Sequence, residues 1–144
     1  MQFTRAEGYG LLGVIYLANQ DQDQVIPLSE IATAEDVPEK FLAKIFQNLT
    51  KTGIVRSHRG VKGGFSLNRS PDEITVRAVV EAIQGPYHII RCLNDNDNDC
   101  CQKTENCPLR DVLAEAEEKL LGVFSSYTIA DLQNWKSKVR SRKS

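Results

Sequence analysis

The 144-residue sequence predicts a mainly α-helical fold, in which a helix-turn-helix is followed by a two-stranded β wing and later by a long helix. Three observations support this prediction. Two short amphipathic segments are separated by about three residues around Pro38, which is the spacing of a helix-turn-helix. A glycine-rich hairpin follows them directly. A long apolar stripe then begins after Pro108.

The first elements are predicted from their capping residues. Thr4 and Glu7 form a capping box that starts a helix, and its apolar face ends before the polar loop 19–24. Pro27 and Pro38 open the second and third helices, because proline is favoured where a helix begins. These three helices contain the predicted helix-turn-helix.

The later elements follow from glycine positions and apolar periodicity. Gly53 ends the third helix. Within residues 54–67, apolar residues lie on either side of a glycine turn and alternate with polar ones on the return, which predicts two strands. Residues 75–84 form a fourth helix, Pro108 opens the long helix, and Thr128 caps a short last one.

Charge is distributed unevenly, although the formal net charge is only −1. Residues 40–71 hold seven basic side chains and no acidic ones, whereas residues 72–135 hold five basic and twelve acidic ones. On charge alone, a solvated basic surface explains the pattern as well as a surface that binds the phosphates of a nucleic acid. Because the basic block falls on the third helix and the wing, we expect it to bind duplex DNA.

The candidate DNA-binding residues lie on the third helix and the wing. The first turn of the helix is placed to meet base edges, and Arg59 at the wing tip suits a narrow minor groove. Neighbouring wing residues are expected to contact phosphates. An ordinary glycine hairpin is the alternative interpretation of the wing. The set is Pro38, Glu39, Lys40, Lys44, Ser57, Arg59 and Lys62.

All four cysteines lie within residues 92–107, at the spacing C-x7-C-C-x5-C. They are Cys92, Cys100, Cys101 and Cys107. Thiolates bind soft or borderline metals, and the absence of a C-x2-C pair argues against a zinc ribbon. An iron–sulfur cluster is the favoured interpretation. A disulfide switch is the alternative, since neighbouring cations favour thiolates.

The long helix carries an apolar stripe with no predicted partner in the chain, because the winged-helix core is complete before it. We therefore expect this stripe to pack against the same helix of a second subunit. The predicted dimer-interface residues are Leu109, Val112, Leu113, Ala116, Leu120, Val123 and Phe124.

The predicted organisation is a DNA-binding unit over residues 1–85, a cysteine loop over 86–107, and a dimerisation region with a basic tail over 108–144. No catalytic constellation is present, so we do not expect an enzyme. No apolar run is long enough to span a bilayer, and the N-terminus is unlike a signal peptide. We therefore expect a cytoplasmic protein without a membrane partner.

The order of these parts resembles the Rrf-two family of bacterial winged-helix transcriptional regulators over nearly the whole chain. The most specific match is the pattern L-x-K-x-G-I-V-x-S-x-R-G-x-x-G-G-F from Leu49 to Phe65. The resemblance implies a homodimer on a near-palindromic operator, with the long helix at the dimer interface. It also implies that Arg59 enters the minor groove and that the cysteine loop holds a cluster.

The resemblance assigns three cluster ligands. They are Cys92, Cys101 and Cys107, with Cys100 as an alternative to Cys101. In some members a histidine three residues past the last cysteine completes the site, but this position is Arg110 here. The fourth ligand is then Glu7 from the partner subunit, Cys100 or a small exogenous molecule. Both a 2Fe–2S and a 4Fe–4S cluster are compatible with these ligands.

Together these inferences predict a transcriptional regulator whose operator binding depends on an iron–sulfur cluster that senses iron, nitric oxide or redox state. The first alternative is a cluster-free member of the family that acts by a thiol switch or by binding a partner protein. The second alternative is an iron–sulfur electron carrier, although such a protein has no need of the basic block.

Overall fold

The computed structural model describes residues 3–21, 23–86, 107–133 and 135. Its elements are α1 (Arg5–Ala18), α2 (Leu28–Glu35), α3 (Glu39–Lys51), β1 (Val55–His58), β2 (Gly64–Leu67), a 3₁₀ turn (Pro71–Glu73), α4 (Val76–Gln84), α5 (Pro108–Ser126) and α6 (Ile129–Gln133). The predicted fold, mainly helical with two antiparallel strands, is confirmed. None of the described helices is long and apolar enough to cross a membrane.

Helices α2 and α3 meet in a tight turn. Asp36 adopts the left-handed conformation with φ of 54°, and the Val37 N–H donates to the Ala32 carbonyl at 2.9 Å. Pro38 then occupies the N-cap of α3, as its position in the sequence predicts. One face of α3 is buried in the core through Leu42, Ile45, Phe46 and Leu49. The opposite face of this helix is left to solvent.

A surface hydrogen bond joins α1 to α2. The Tyr16 hydroxyl donates to a carboxylate oxygen of Glu30 at 3.0 Å. Partial burial, and then this nearby carboxylate, raise the pKa of Tyr16 above its ordinary value. The phenol therefore stays protonated near neutral pH and continues to donate.

The wing is attached to the helical core through its second strand. β1 and β2 pair antiparallel, with Val55 opposite Leu67. Ile26 and Phe65 exchange two backbone hydrogen bonds, with N···O distances of 2.9 and 2.8 Å. A Cβ at Gly64 would collide with the backbone carbonyl group of Ile26. The close approach of the two backbones therefore requires glycine at this position.

The C-terminal helices return to the same core. The Ile129 N–H donates to the Ile74 carbonyl at 2.8 Å, and the Val76 N–H donates to the Tyr127 carbonyl at 2.9 Å. Ile129 is completely buried in the main hydrophobic cluster. The regions that the sequence predicts as a DNA-binding unit and a dimerisation region are thus joined by one core.

Glu7 is a buried carboxylate that connects the start of α1 to the end of α4. One of its oxygens accepts from the Thr4 N–H at 2.6 Å, which is one half of the predicted capping box, and the Thr4 hydroxyl also donates to it. Its other oxygen accepts from the side-chain amide of Gln84, which lies 77 residues away in sequence.

Gly64→Ala is expected to lower the free energy of unfolding by about 1–3 kcal/mol, because the added Cβ separates the wing from Ile26. Gly8→Ala is the matched control, since a Cβ at Gly8 in α1 meets no atom within 4 Å. The control is expected to be neutral or to stabilise by up to about 1 kcal/mol. Urea unfolding at one protein concentration tests both variants, and equal effects would contradict the role given to Gly64.

Glu7→Ala is expected to destabilise the protein by about 2–4 kcal/mol, because it removes the capping box and a charged acceptor in the core. Glu30→Ala removes a carboxylate that accepts a hydrogen bond at the surface, so its effect should stay within about 0.5 kcal/mol. Thermal unfolding followed by circular dichroism compares the two. A Glu7→Ala variant as stable as Glu30→Ala would refute the structural role of Glu7.

Candidate functional site

The predicted DNA-contacting residues of α3 all lie on its solvent side. Pro38, Glu39, Lys40 and Lys44 are exposed at the start of the helix, and the core residues face the other way. Lys40 and Lys44 are four residues apart, so their side chains lie one helical turn apart on the same face. This arrangement leaves the first turn of α3 free to approach the floor of a major groove.

The wing presents its predicted residues to solvent as well. Ser57, Arg59 and Lys62 are exposed, and Gly60 has a φ of 111° in the turn between the strands. His58 is half-buried, and its Nε2 lies 2.8 Å from the hydroxyl of buried Ser66. The wing therefore holds Arg59 beside a turn with glycine freedom, on strands that pair along their whole length.

A cavity of about 550 Å³ lies between the start of α1 and the start of α3. Its lining residues are Arg5, Tyr9, Pro38, Lys40, Phe41 and Lys44. Arg5, Tyr9 and Phe41 were not among the site residues predicted from the sequence. Periodicity groups Phe41 with the buried apolar residues of α3 and so predicts burial, but the structure leaves it 42% exposed.

Of the four cysteines, the structure describes Cys107, which is half-buried at the N-cap of α5. Its carbonyl accepts a hydrogen bond from the Arg110 N–H at 3.2 Å. Cys92, Cys100 and Cys101 lie outside the described residues. Within the described ranges, no three metal-ligating side chains come together. The predicted cluster ligands therefore stay a prediction.

The two carboxylate oxygens of Glu7, the possible ligand from a partner subunit, already accept hydrogen bonds within the chain. Its side chain is 1% exposed. For Glu7 to bind a cluster, Thr4 and Gln84 would have to release it.

The structure divides the predicted dimer-interface residues into two groups. Leu120 and Phe124 pack against Val76 and Val80 of α4 in the same chain. A second group faces solvent: Leu109 is 62%, Val112 63% and Val123 52% exposed, and Ala116 is exposed beside them. Leu113 is half-buried. The exposed group recurs at helical spacing and forms one apolar seam along α5.

The sequence matches the Rrf2 family, described as iron-dependent transcriptional regulators, over residues 3–134. The HTH-type transcriptional regulator NsrR of Geobacillus kaustophilus is 34% identical over 141 residues, which cover 98% of this chain and 95% of that protein.

Solved structures show the same winged-helix architecture. IscR from T. potens superposes with a TM-score of 0.76 at 22% identity, covering 96% of this chain and 90% of that one. CymR, the global cysteine regulator of B. subtilis, superposes with a TM-score of 0.70 at 25% identity, covering 94% and 98%. The predicted fold class and the predicted family are both confirmed: the chain belongs to the Rrf2 family of transcriptional regulators.

Proposed function

We propose that this regulator binds a near-palindromic DNA operator as a homodimer, and that its affinity depends on whether its cysteine loop holds an iron–sulfur cluster. The position of Cys107 is the observation that supports this most directly. It caps α5, whose exposed apolar seam is available to a second subunit and whose last turns pack on α4. The proposed ligand thiol thus lies at one end of the helix that connects the exposed seam with α4.

DNA binding would use two solvent-exposed surfaces, the start of α3 and the wing. The first two turns of α3, with Lys40 and Lys44, enter the major groove, while Arg59 on the wing enters the adjacent minor groove. Ser57 and Lys62 contact the phosphates that flank it. In a dimer, two recognition helices must meet grooves roughly 34 Å apart, so their relative placement decides affinity.

The exposed seam of α5 supports the homodimer. Leu109, Val112 and Val123 are large apolar residues, each more than half exposed in one chain. A second copy of α5 would cover them in a helix pair with twofold symmetry. Leu120 and Phe124 would remain on α4 and connect this interface to the DNA-binding unit.

The donor set fits an iron–sulfur cluster, because thiolates are its usual ligands. Cys92, Cys101 and Cys107 would hold it, with Cys100 able to replace Cys101. A bound cluster supplies an iron centre that responds to iron supply, nitric oxide or oxidation. The relative named NsrR and the family description as iron-dependent regulators support this assignment.

Coupling to DNA would run through the contacts of α5. If Cys107 held the cluster, a change in its ligation would act on the N-cap of this helix. The effect would reach α4 through Leu120 and Phe124, and the main core through Ile129 of the following α6. The two recognition helices would then shift relative to each other, which is a population shift between a DNA-competent dimer and one that is not.

A cluster-free thiol switch is the second candidate, and one observation favours it. CymR, a global cysteine regulator, superposes over 94% of this chain at 25% identity. In this case two cysteines of the loop would be oxidised to a disulfide by an oxidant such as a peroxide, with the two electrons passing from the sulfurs to the oxidant. Binding of a partner protein is a further route for a cluster-free member.

Arg59→Ala is expected to weaken operator binding by roughly 10- to 100-fold at about 0.15 M salt, because it removes the minor-groove cation. Arg77→Ala is the control, because it removes the same charge from a different surface. Arg77 lies on α4 and forms an ion pair with Glu81 at 3.0 Å. Fluorescence anisotropy with a labelled operator measures both variants. Unchanged binding by Arg59→Ala, with an unchanged unfolding midpoint, would exclude the wing from the interface.

Cys107→Ala is expected to abolish visible absorbance and bound iron in protein purified without oxygen, since it removes a cluster ligand. Cys100→Ala is the companion variant, and it should keep both if Cys100 is not a ligand. Iron, sulfide and absorbance assays decide the outcome. Full iron content in Cys107→Ala would remove this residue from the site, and a metal-free wild-type protein would favour the thiol switch.

A further inference from the structure

We propose that the cavity between α1 and α3 binds one backbone phosphate of duplex DNA, with Arg5 as its main cation. This inference rests on the proposed DNA binding and adds to it a contact from α1. It names a residue that lies outside both the helix-turn-helix and the wing.

The charge of the cavity favours an anion. Three of its six lining residues are basic, namely Arg5, Lys40 and Lys44, and none is acidic. All three are exposed, and none of them forms an ion pair with a carboxylate in the described part of the chain. Like charges around one cavity repel each other, and a bound anion removes this repulsion.

The cavity has rigid walls, because α1 and α3 pack closely behind it. Gly10 of α1 lies so close to α3 and α4 that a Cβ there would approach the Ile45 side chain of α3 to 3.2 Å and collide with Ile83 of α4. In the wall itself, the Phe41 ring meets the Tyr9 ring edge to face, with centroids 5.6 Å apart. The backbone positions from which the basic side chains project are therefore set before any ligand binds.

The start of α1 is fixed in the same way. Arg5 directly follows Thr4, which is bound to the buried carboxylate of Glu7 in the capping box. Glu7 is in turn bound to Gln84 at the end of α4. Arg5 consequently projects from an anchored helix terminus, and its planar guanidinium can grip two oxygens of one phosphate.

The location of the cavity identifies the anion as a DNA phosphate. Lys40 and Lys44 line the cavity and also lie on the exposed face of α3, in its first and second turns. When this end of the helix enters a major groove, the sugar–phosphate strands run along both sides of it. The cavity continues the DNA-binding face toward α1, where one of these strands would pass.

The first experiment compares Arg5→Gln with Arg77→Gln, which removes the same charge from α4. The probe is a duplex of roughly 30 base pairs, selected from a random library by the wild-type protein. Each phosphate contact contributes about 0.9 to the slope of log affinity against log salt. Arg5→Gln should lower the slope by about 2 in a dimer, whereas Arg77→Gln should leave it unchanged.

A slope for Arg5→Gln equal to that of wild type would overturn this inference alone, because DNA binding itself would persist. If the wild-type protein selects and binds no duplex, the proposed function fails and this inference fails with it. Circular dichroism of Arg5→Gln should match wild type, since Arg5 is an exposed residue.

The second experiment locates the phosphate. Each phosphate of the duplex is replaced in turn by an uncharged methylphosphonate, and the affinities of wild type and Arg5→Gln are compared as a double-mutant cycle. We expect one position in each half-site that costs wild type about tenfold but costs Arg5→Gln less than about twofold. Equal losses for the two proteins at every position would overturn the inference.

Discussion

The ring of Phe46 fixes the geometry of the candidate DNA-binding face. This side chain is completely buried, and it stacks on Phe65 of the wing with ring centroids 4.9 Å apart. On its other side it lies so near α1 that a Cβ at Gly13 would stand 2.9 Å from the ring. One residue of α3 thus sets the positions of α1 and the wing. A close-packed core of this kind resists small deformations, so the backbone positions that carry Lys44 and Arg59 keep a fixed relative placement.

This rigidity decides where a signal can act. If α3 and the wing cannot shift against each other, regulation has to change the placement of one whole unit relative to another. The contacts of the C-terminal helices suit this kind of change. Ile129 is buried in the main core, and Phe124 packs on α4, so a displacement of α5 carries the DNA-binding unit with it. On the proposed mechanism, the coupling would reside in packing between helices.

The features that the sequence predicted correctly are those determined by neighbouring residues. The capping box at Thr4, the N-cap at Pro38 and the helix stop near Gly53 each depend on interactions within one turn of helix. Contacts between distant segments were not predictable in this way. Gln84 donates a hydrogen bond to Glu7, and Ile129 is buried in the main core, but the local sequence around these residues does not indicate either contact.

The α5 stripe shows the same limit at the candidate interface. Periodicity grouped all its apolar residues into one face, whereas the structure sends Phe124 to α4 and leaves Val112 and Val123 to solvent. An apolar pattern reports that a residue will be buried, but it does not report against which surface. The exposure of the candidate DNA-binding residues was easier to predict, because each lies outside the buried apolar stripe of α3 or near the turn of the wing. Arg5 was missed because it lies alone in sequence, and only folding brings it near Lys40.

The segregation of charge explains how a chain with a net charge of −1 can bind DNA. At physiological salt, electrostatic fields decay over about 8 Å, so DNA experiences the local surface and not the total charge. Residues 40–71 present seven basic groups without a carboxylate, while twelve of the 19 acidic residues lie within 72–135. The basic block, carried by α3 and the wing, would attract the phosphates of DNA to this part of the surface. The charge pattern would therefore orient the protein on the duplex before any base is contacted, and the packing around Phe46 would hold the contacting groups in place once it has docked.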